Sequence, residues 1–215
     1  MESKTYAAFE RLSDILDTLR KECPWDRVQT MKSLRYLTIE EVHELSEAVI
    51  ALEALEDPKD LKDPKVQALK KELGDLAMHI LFYCKIAEEQ GLFTTADVYN
   101  AICDKLIDRH PFIYHKEQYH GENWEQLKMR EGDRRGVLDG VPDSLPSLIK
   151  AVRMQEKVAG MDKSIPPCLP EWKQEMNEEE FGDYLFALID WARRHGINAD
   201  DALCGANRRF RQQHS

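Results

Sequence analysis

The sequence lacks the features that mark secreted and membrane proteins. None of its five cysteines forms a C-x-x-C pair, and their odd number argues against a disulfide framework. No apolar run approaches the length that spans a membrane, and the N-terminal stretch MESKTYAAFERL has no apolar segment of a secretory signal. We therefore expect reduced thiols, no membrane association and a cytoplasmic location.

Positively charged residues are also fewer than negatively charged ones. Lysine and arginine number 30 against 40 aspartate and glutamate residues, which gives a formal net charge of -10. This balance argues against nucleic acid as a partner, since a phosphate backbone is bound by basic patches. An acidic protein that handles phosphate groups needs metal ions between its carboxylates and the phosphates. No D-x-D-x-D-G loop exists, which excludes calcium binding of the EF-hand type.

No stretch alternates apolar and polar residues over the length of a β-strand, so the sequence predicts an all-α protein. Apolar residues at helical spacing, together with capping residues and prolines, predict helices over residues 6–20, 33–55, 66–90, 96–108, 124–131, 147–158, 178–194 and 199–211. The stretch REGDRRGVLDGVPDSLP is rich in glycine, proline and charge and predicts a linker. We therefore expect one domain over residues 1–135, and a linker with a second unit over residues 136–215.

Acidic residues crowd the second predicted helix. The stretch TIEEVHELSEAVI carries Glu40, Glu41, Glu44 and Glu47, although like charges one turn apart repel by about 0.2–0.5 kcal/mol per pair. Glu41 and Glu44 share a face and directly precede Val42 and Leu45, which we expect to point into the core. A solvated helix face is one explanation of the crowding, and a bound cation is the other.

The third predicted helix repeats the arrangement. Glu72 and Asp75 directly precede Leu73 and Leu76, for which we also expect core positions, and Gly74 lies between the two acids. A glycine inside a helix costs about 1 kcal/mol relative to alanine, which close approach of another helix would justify. Antiparallel packing of the two helices would bring four carboxylates together, and these would require cations. An all-oxygen site of this kind suits Mg²⁺.

The order of these motifs resembles the MazG type of all-α nucleoside triphosphate pyrophosphohydrolases. EEVHE at residues 40–44 and ELGD at residues 72–75 resemble the family signature E-E-x-x-E…E-x-x-D. CPWDRVQT, DKLIDRHPFIY and NWEQLKMRE resemble further family segments, and VLDGVPDSLPSLIKAVRMQEKVAG resembles the connection between tandem repeats. Each motif alone is modest, but their joint order is highly specific. The resemblance implies a MazG-like helical bundle that is completed by dimerisation.

The resemblance also implies an activity and a set of site residues. Family members cleave nucleoside triphosphates between the α and β phosphates, giving monophosphate and pyrophosphate, here in house-cleaning of the nucleotide pool. Mg²⁺, with Mn²⁺ able to substitute, would activate the attacking water. The implied metal ligands are Glu41, Glu44, Glu72 and Asp75, and Glu40 would hold a further metal or orient the water. The implied substrate contacts are Lys105 and Arg109 at the phosphates, Trp124 stacked on the base, and Lys128 as added charge.

Several other residues carry weaker expectations. His79, one turn after Asp75, would lie next to the metal ligands. His110, which precedes Pro111, is expected to have a capping or packing role, and Trp25 is expected to be buried. No set of residues that reads a base is visible, and stacking on tryptophan tolerates any base, so broad substrate use is expected.

The second half departs from the family pattern. Glu180 and Asp183 reproduce the E-x-x-D pair, but no E-E-x-x-E helix precedes them. We therefore expect a truncated second repeat without an active site of its own.

Two other classes of protein remain open at this point. One is a di-iron carboxylate bundle, for which Glu40 with His43 and Glu117 with His120 have the required E-x-x-H spacing. The other is a non-catalytic helical interaction module.

Overall fold

The computed structural model describes residues 2–53, 55, 60–129, 136–161, 170, 173 and 175–214. These residues form helices and loops without a β-strand, which confirms the all-α class. The helices are α1 Glu2–Glu22, α2 Met31–Glu53, α3 Pro64–Glu89, α4 Thr95–Asp108, α5 Pro111–Tyr114, α6 Trp124–Met129, α7 Ser147–Ala159, α8 Glu178–Arg194 and α9 Ala199–Gln213. Short 3₁₀ turns lie at Asp26–Val28 and Lys116–Gln118. No helix in this part of the chain is long and apolar enough to cross a membrane.

All eight predicted helices are present in the described part of the chain, and the ends of α3 follow from local capping chemistry. Asp63 accepts a hydrogen bond from the Lys65 backbone N–H at 2.8 Å, and Pro64 occupies the first turn of α3. Gly91 follows that helix with a φ of 67°, the left-handed conformation that ends many helices. α5 was not predicted, because Pro111 in the sequence indicates the end of the preceding helix. In the structure Pro111 also occupies the first turn of the short helix α5.

The chain divides into two compact units, Met1–Lys105 and Leu106–Ser215. The domain boundary predicted at residues 135 and 136 stays a prediction, since residues 130–135 lie outside the described part of the chain.

The first unit is built on the packing of α2 against α3. Leu34, Phe82 and Ile86 form the core cluster. Leu34 near the start of α2 meets residues near the end of α3, so the two helices run antiparallel, as predicted. α1 packs on α3 through an ion pair of Arg20 with Glu89. Arg20 also donates to the carbonyl of Gln29 at 3.2 Å, which ties the CPWDRVQT loop to α1.

Several expected core positions are exposed in the single chain. Val42 is 47% exposed and Leu73 is 51% exposed, whereas Leu45 and Leu76 are half-buried. Trp25 is 53% exposed, so its predicted burial is wrong. The apolar stripes of α2 and α3 are wider than the face on which these two helices meet, and the additional side chains reach solvent.

The second unit centres on α7, α8 and α9. The buried Gln155 of α7 donates from Nε2 to the carbonyl of Phe186 in α8 at 2.8 Å. Asn123 caps α6 reciprocally with Gln126, and its Nδ2 donates to the carbonyl of Gly160 at 2.8 Å. These bonds fix α6 relative to the end of α7.

Candidate active site

Three of the predicted metal ligands lie together between α2 and α3. Glu41, Glu72 and Asp75 each place a carboxylate oxygen so that all three oxygens lie within 4.8 Å of one another. The antiparallel packing explains the arrangement. Leu34 of α2 packs in one cluster with Phe82 of α3. Glu41 lies two turns after Leu34, and Asp75 lies two turns before Phe82, so the antiparallel helices bring these two carboxylates together. Spacing along each helix and the packing between them together produce a cluster that neither helix has alone.

The buried member of the cluster is incompletely satisfied. Glu72 is only 7% exposed, and its Oε2 has no hydrogen-bond partner among the described residues. Its other oxygen accepts from Lys71 Nζ at 3.1 Å, and the same ammonium group lies 3.4 Å from Asp75 Oδ2. A buried carboxylate oxygen without a partner costs about 1–3 kcal/mol, more when charged. A cation between the three carboxylates would satisfy that oxygen.

Burial and the nearby carboxylates contribute to a raised pKa at Glu41. Burial raises the pKa of Glu41 above its usual value, and the charges of Asp75, Glu44 and Glu72 raise it further, in that order. Lys71 opposes the shift. The donors are all carboxylate oxygens, which match Mg²⁺ or Mn²⁺. The residues present therefore fit a hard divalent cation.

Two predicted site residues lie outside this cluster. Glu44 is exposed and is not among the carboxylates within 4.8 Å, although its charge still acts on Glu41. Glu40 is exposed on the solvent side of α2.

The helix expected to approach Gly74 is not found among the described residues of the single chain. A Cβ atom added at Gly74 would meet no neighbouring atom within 4 Å among the described residues. The expected close approach is therefore wrong for the described part of one chain.

The predicted phosphate and base contacts fall in both units. Lys105, at the end of α4 in the first unit, is exposed and forms no ion pair with a described residue. In the second unit, the Arg109 guanidinium lies over the ring of Trp124, 5.6 Å from its centroid. Trp124 is 43% exposed, so one part of the ring is open to solvent. The side chain of Lys128 lies outside the described part of the structure.

The histidines take different positions. His110 donates from Nδ1 to the carbonyl of Leu106 at 2.6 Å, and its ring centroid lies 5.5 Å from that of Trp124, which agrees with the capping or packing role predicted for it. His79 is buried, and its Nδ1 lies 2.9 Å from Thr38 Oγ1. Sequence reasoning missed Thr38, because this contact spans 41 residues and no spacing rule connects the two positions.

The E-x-x-D pair of the second unit is in a different setting. Asn177 and Glu180 form a capping box, in which Glu180 Oε2 accepts from the Asn177 backbone N–H at 3.1 Å. Its Oε1 accepts from Lys173 Nζ at 2.6 Å. Hydrogen bonds from Lys173 and Asn177 hold the pKa of Glu180 below its usual value. Both oxygens of Glu180 are thus engaged, whereas Glu72 keeps one without a partner.

The di-iron spacing is not supported by the geometry. Glu117 lies on the 3₁₀ turn Lys116–Gln118, not on a core helix, and His120 is exposed in the loop after it. Glu40 and His43 are both exposed on α2. The described cluster contains carboxylates and no histidine.

Comparison with known proteins agrees with this geometry. The family model described as the MazG nucleotide pyrophosphohydrolase domain matches residues 29–114, which include the carboxylate cluster. A nucleoside triphosphate pyrophosphohydrolase of Escherichia coli K12 is 33% identical over 95% of this chain and 84% of its own length. The nucleoside triphosphate pyrophosphohydrolase/pyrophosphatase MazG of Thermotoga maritima is 34% identical over 94% of this chain and 82% of its own length. The uncharacterized protein YabN of Bacillus subtilis is 33% identical over the whole of this chain and 47% of its own length. The chain therefore belongs to the MazG family of nucleotide pyrophosphohydrolases.

Proposed function

We propose that this protein hydrolyses nucleoside triphosphates to monophosphate and pyrophosphate, with Mg²⁺ held by Glu41, Glu72 and Asp75. The observation that carries the proposal is the three-carboxylate cluster, in which the buried Glu72 leaves Oε2 without a partner. When bound, Mg²⁺ supplies charge neutralisation for the polyphosphate and acidifies water. Glu44 lies on an exposed face of α2 one turn after Glu41, on which its charge acts, and we include it as a further ligand.

The remaining site residues divide between the phosphates and the base. Lys105 carries an exposed ammonium group that can pair with a phosphate, and Arg109 adds a guanidinium suited to two phosphate oxygens. Trp124 offers a partly open ring on which a base can stack. Glu40, on the solvent side of α2, orients the attacking water. Stacking on an aromatic ring does not distinguish one base from another. We therefore propose that the protein accepts nucleotides with different bases and has a house-cleaning role.

A homodimer is part of the proposal. The supporting observation is the exposed apolar side chains on the two helices that carry the cluster, namely Ile39, Val42 and Val49 on α2, and Leu73 and Ile80 on α3. A second copy would cover these side chains and give Gly74 a neighbouring helix. The described cysteines are all free thiols, which supports a cytoplasmic location.

The test is an end-point assay in ¹⁸O-labelled water with Mg²⁺ and each common NTP and dNTP. Attack at the α phosphorus places the label in the monophosphate, whereas attack at the β phosphorus places it in pyrophosphate. Glu41→Ala should abolish turnover, and Glu47→Ala, an exposed glutamate further along the same helix, serves as the matched control. Intact nucleotides with the wild-type protein, or label in pyrophosphate, would refute the proposal.

A further inference from the structure

A polar cluster around the buried His79 joins α2 and α3 one turn from the carboxylates. Thr38 Oγ1 lies 2.9 Å from each of three atoms: the Leu34 carbonyl oxygen, His79 Nδ1 and the Tyr83 hydroxyl. His79 is 4% exposed, and Thr38 and Tyr83 are half-buried. The proposed function assigns no role to this cluster.

The hydrogen-bonding capacity of these groups fixes the position of each proton. A carbonyl oxygen cannot donate, so the single hydroxyl hydrogen of Thr38 goes to Leu34. The two lone pairs of Thr38 Oγ1 must then accept, one from the Tyr83 hydroxyl and one from His79 Nδ1–H. Burial lowers the pKa of His79, so the ring is neutral near pH 7. A neutral ring with its proton on Nδ1 has a lone pair on Nε2.

Nε2 of His79 has no hydrogen-bond partner among the described residues. His79 follows Asp75 by one turn, and Asp75 follows Glu72 by one turn, so the three lie along one face of α3. Asp75 is close enough that its charge opposes the lowering of the pKa of His79. This face therefore carries two groups without partners, Glu72 Oε2 and His79 Nε2. A cation satisfies the carboxylate, and the O–H of a water molecule satisfies the imidazole nitrogen.

We propose that Thr38 holds His79 in the Nδ1–H form and that His79 Nε2 accepts a hydrogen bond from the water that attacks the α phosphorus. This inference rests on the proposed function. His79 then turns the oxygen lone pair of the water towards phosphorus, and Thr38 is the positioning residue that keeps Nε2 free of a proton. A cluster that merely joined two helices would need Nδ1–H alone and would place no demand on Nε2.

Two substitutions at His79 separate these roles. His79→Asn keeps an N–H group close to the position of Nδ1 and removes Nε2, whereas His79→Gln places an amide oxygen or nitrogen near the position of Nε2. We expect His79→Asn to lower kcat by about 10-fold to 100-fold, as is typical when a group supporting a metal site is lost. KM and the Kd for Mg²⁺, measured by calorimetry, should stay unchanged, and His79→Gln should recover part of kcat.

Thr38→Val tests the positioning role. It keeps the shape of the side chain but removes the acceptor for Nδ1–H, so kcat should fall. Thr18→Val is the matched control, because Thr18 makes the same 2.9 Å bond to the carbonyl four residues earlier, at Asp14, and has no other partner in the described part of the chain. Thermal unfolding of each variant shows whether it is folded.

A spectroscopic measurement is independent of activity. In ¹⁵N-histidine-labelled protein, the His79 signals are those missing from His79→Asn, and their shifts report which ring nitrogen is protonated. Protonated Nδ1 and bare Nε2 in the wild type, altered in Thr38→Val but not in Thr18→Val, support the inference. Protonated Nε2 overturns it, as does wild-type kcat in His79→Asn or a weakened Kd for Mg²⁺ at unchanged kcat. A wild-type protein inactive on every nucleotide would instead refute the proposed function.

Discussion

Replacing Glu41 by glutamine should make the metal-free protein more stable while abolishing its response to Mg²⁺. Three carboxylate oxygens lie within 4.8 Å of one another, and one pair of unit charges at that distance repels by roughly 1 kcal/mol in bulk water and roughly 3.5 kcal/mol at an effective dielectric constant of 20. Glu41 and Asp75 are partly exposed, and Lys71 offsets part of the repulsion. We therefore expect a gain of about 1–2 kcal/mol in the free energy of unfolding for Glu41→Gln.

Urea unfolding in EDTA and then in Mg²⁺ measures both effects. The wild-type protein should gain stability with Mg²⁺, because an ion that binds the folded state alone stabilises it by mass action. Glu41→Gln should show little further gain. Glu47→Gln, on an exposed face of the same helix, should behave as wild type in both buffers. A metal-free Glu41→Gln protein less stable than wild type, or one that Mg²⁺ stabilises equally, would refute the electrostatic reasoning.

The stability difference between Glu41→Gln and the wild-type protein should depend on pH in one direction. The pKa of Glu41 in the folded protein is raised above its ordinary value of 4.5. At a pH between 4.5 and the raised pKa, the folded state binds the proton of Glu41 more tightly than the unfolded state does. The free energy of unfolding of the wild-type protein therefore gains from this group as the pH falls through that range. The advantage of Glu41→Gln over wild type in EDTA should therefore be largest above the raised pKa. It should shrink as the pH approaches 4.5, and an advantage that grows on acidification would contradict the assignment.

Three further predictions concern other parts of the molecule. Phe82→Ala should lower the free energy of unfolding by about 3–5 kcal/mol in urea titrations, because Phe82 is 1% exposed in the core of the first unit. Trp124→Ala should raise KM for nucleotides by about 5-fold to 150-fold, since base stacking contributes about 1–3 kcal/mol. Trp191→Ala should not, although Trp191 is similarly exposed and lies against His195. Glu180→Ala should lower the melting temperature by removing the side-chain acceptor that caps α8 and leave kcat unchanged, and a loss of turnover there would indicate a second active site.

The helices and the pairing of the acidic motifs were predictable because they depend on local rules. Asp63 with Pro64 and the glycine at 91 mark the ends of α3 in the sequence itself. The three-residue spacing of Glu72 and Asp75 fixes their common face whatever surrounds them. An antiparallel α2–α3 pair follows from the connection between them. The rotation of α2 on α3, which brings Glu41 to the same place, does not follow from these local rules.

What the sequence did not predict depends on contacts between distant residues. The distance between Thr38 and His79 is set by the packing of Leu34 on Phe82, which no periodicity encodes. Val42 has the same apolar character as Leu45, and only the rotation of α2 on α3 decides that Val42 is the more exposed. The position of Lys71 between two carboxylates likewise depends on side-chain conformation, not on spacing alone.

The two E-x-x-D pairs show how the position of a motif within a helix decides its chemistry. In α3 the pair lies well inside the helix, where each backbone N–H is bonded to an earlier carbonyl, so the carboxylates are available to a ligand. In α8 the pair begins in the first turn, where backbone N–H groups have no helical partner, and Glu180 satisfies the one at Asn177. At the start of α8 the glutamate therefore acts as a cap, with both of its oxygens engaged. A glutamate with the same three-residue spacing to an aspartate thus serves as a metal-ligand candidate in α3 and as a helix cap in α8.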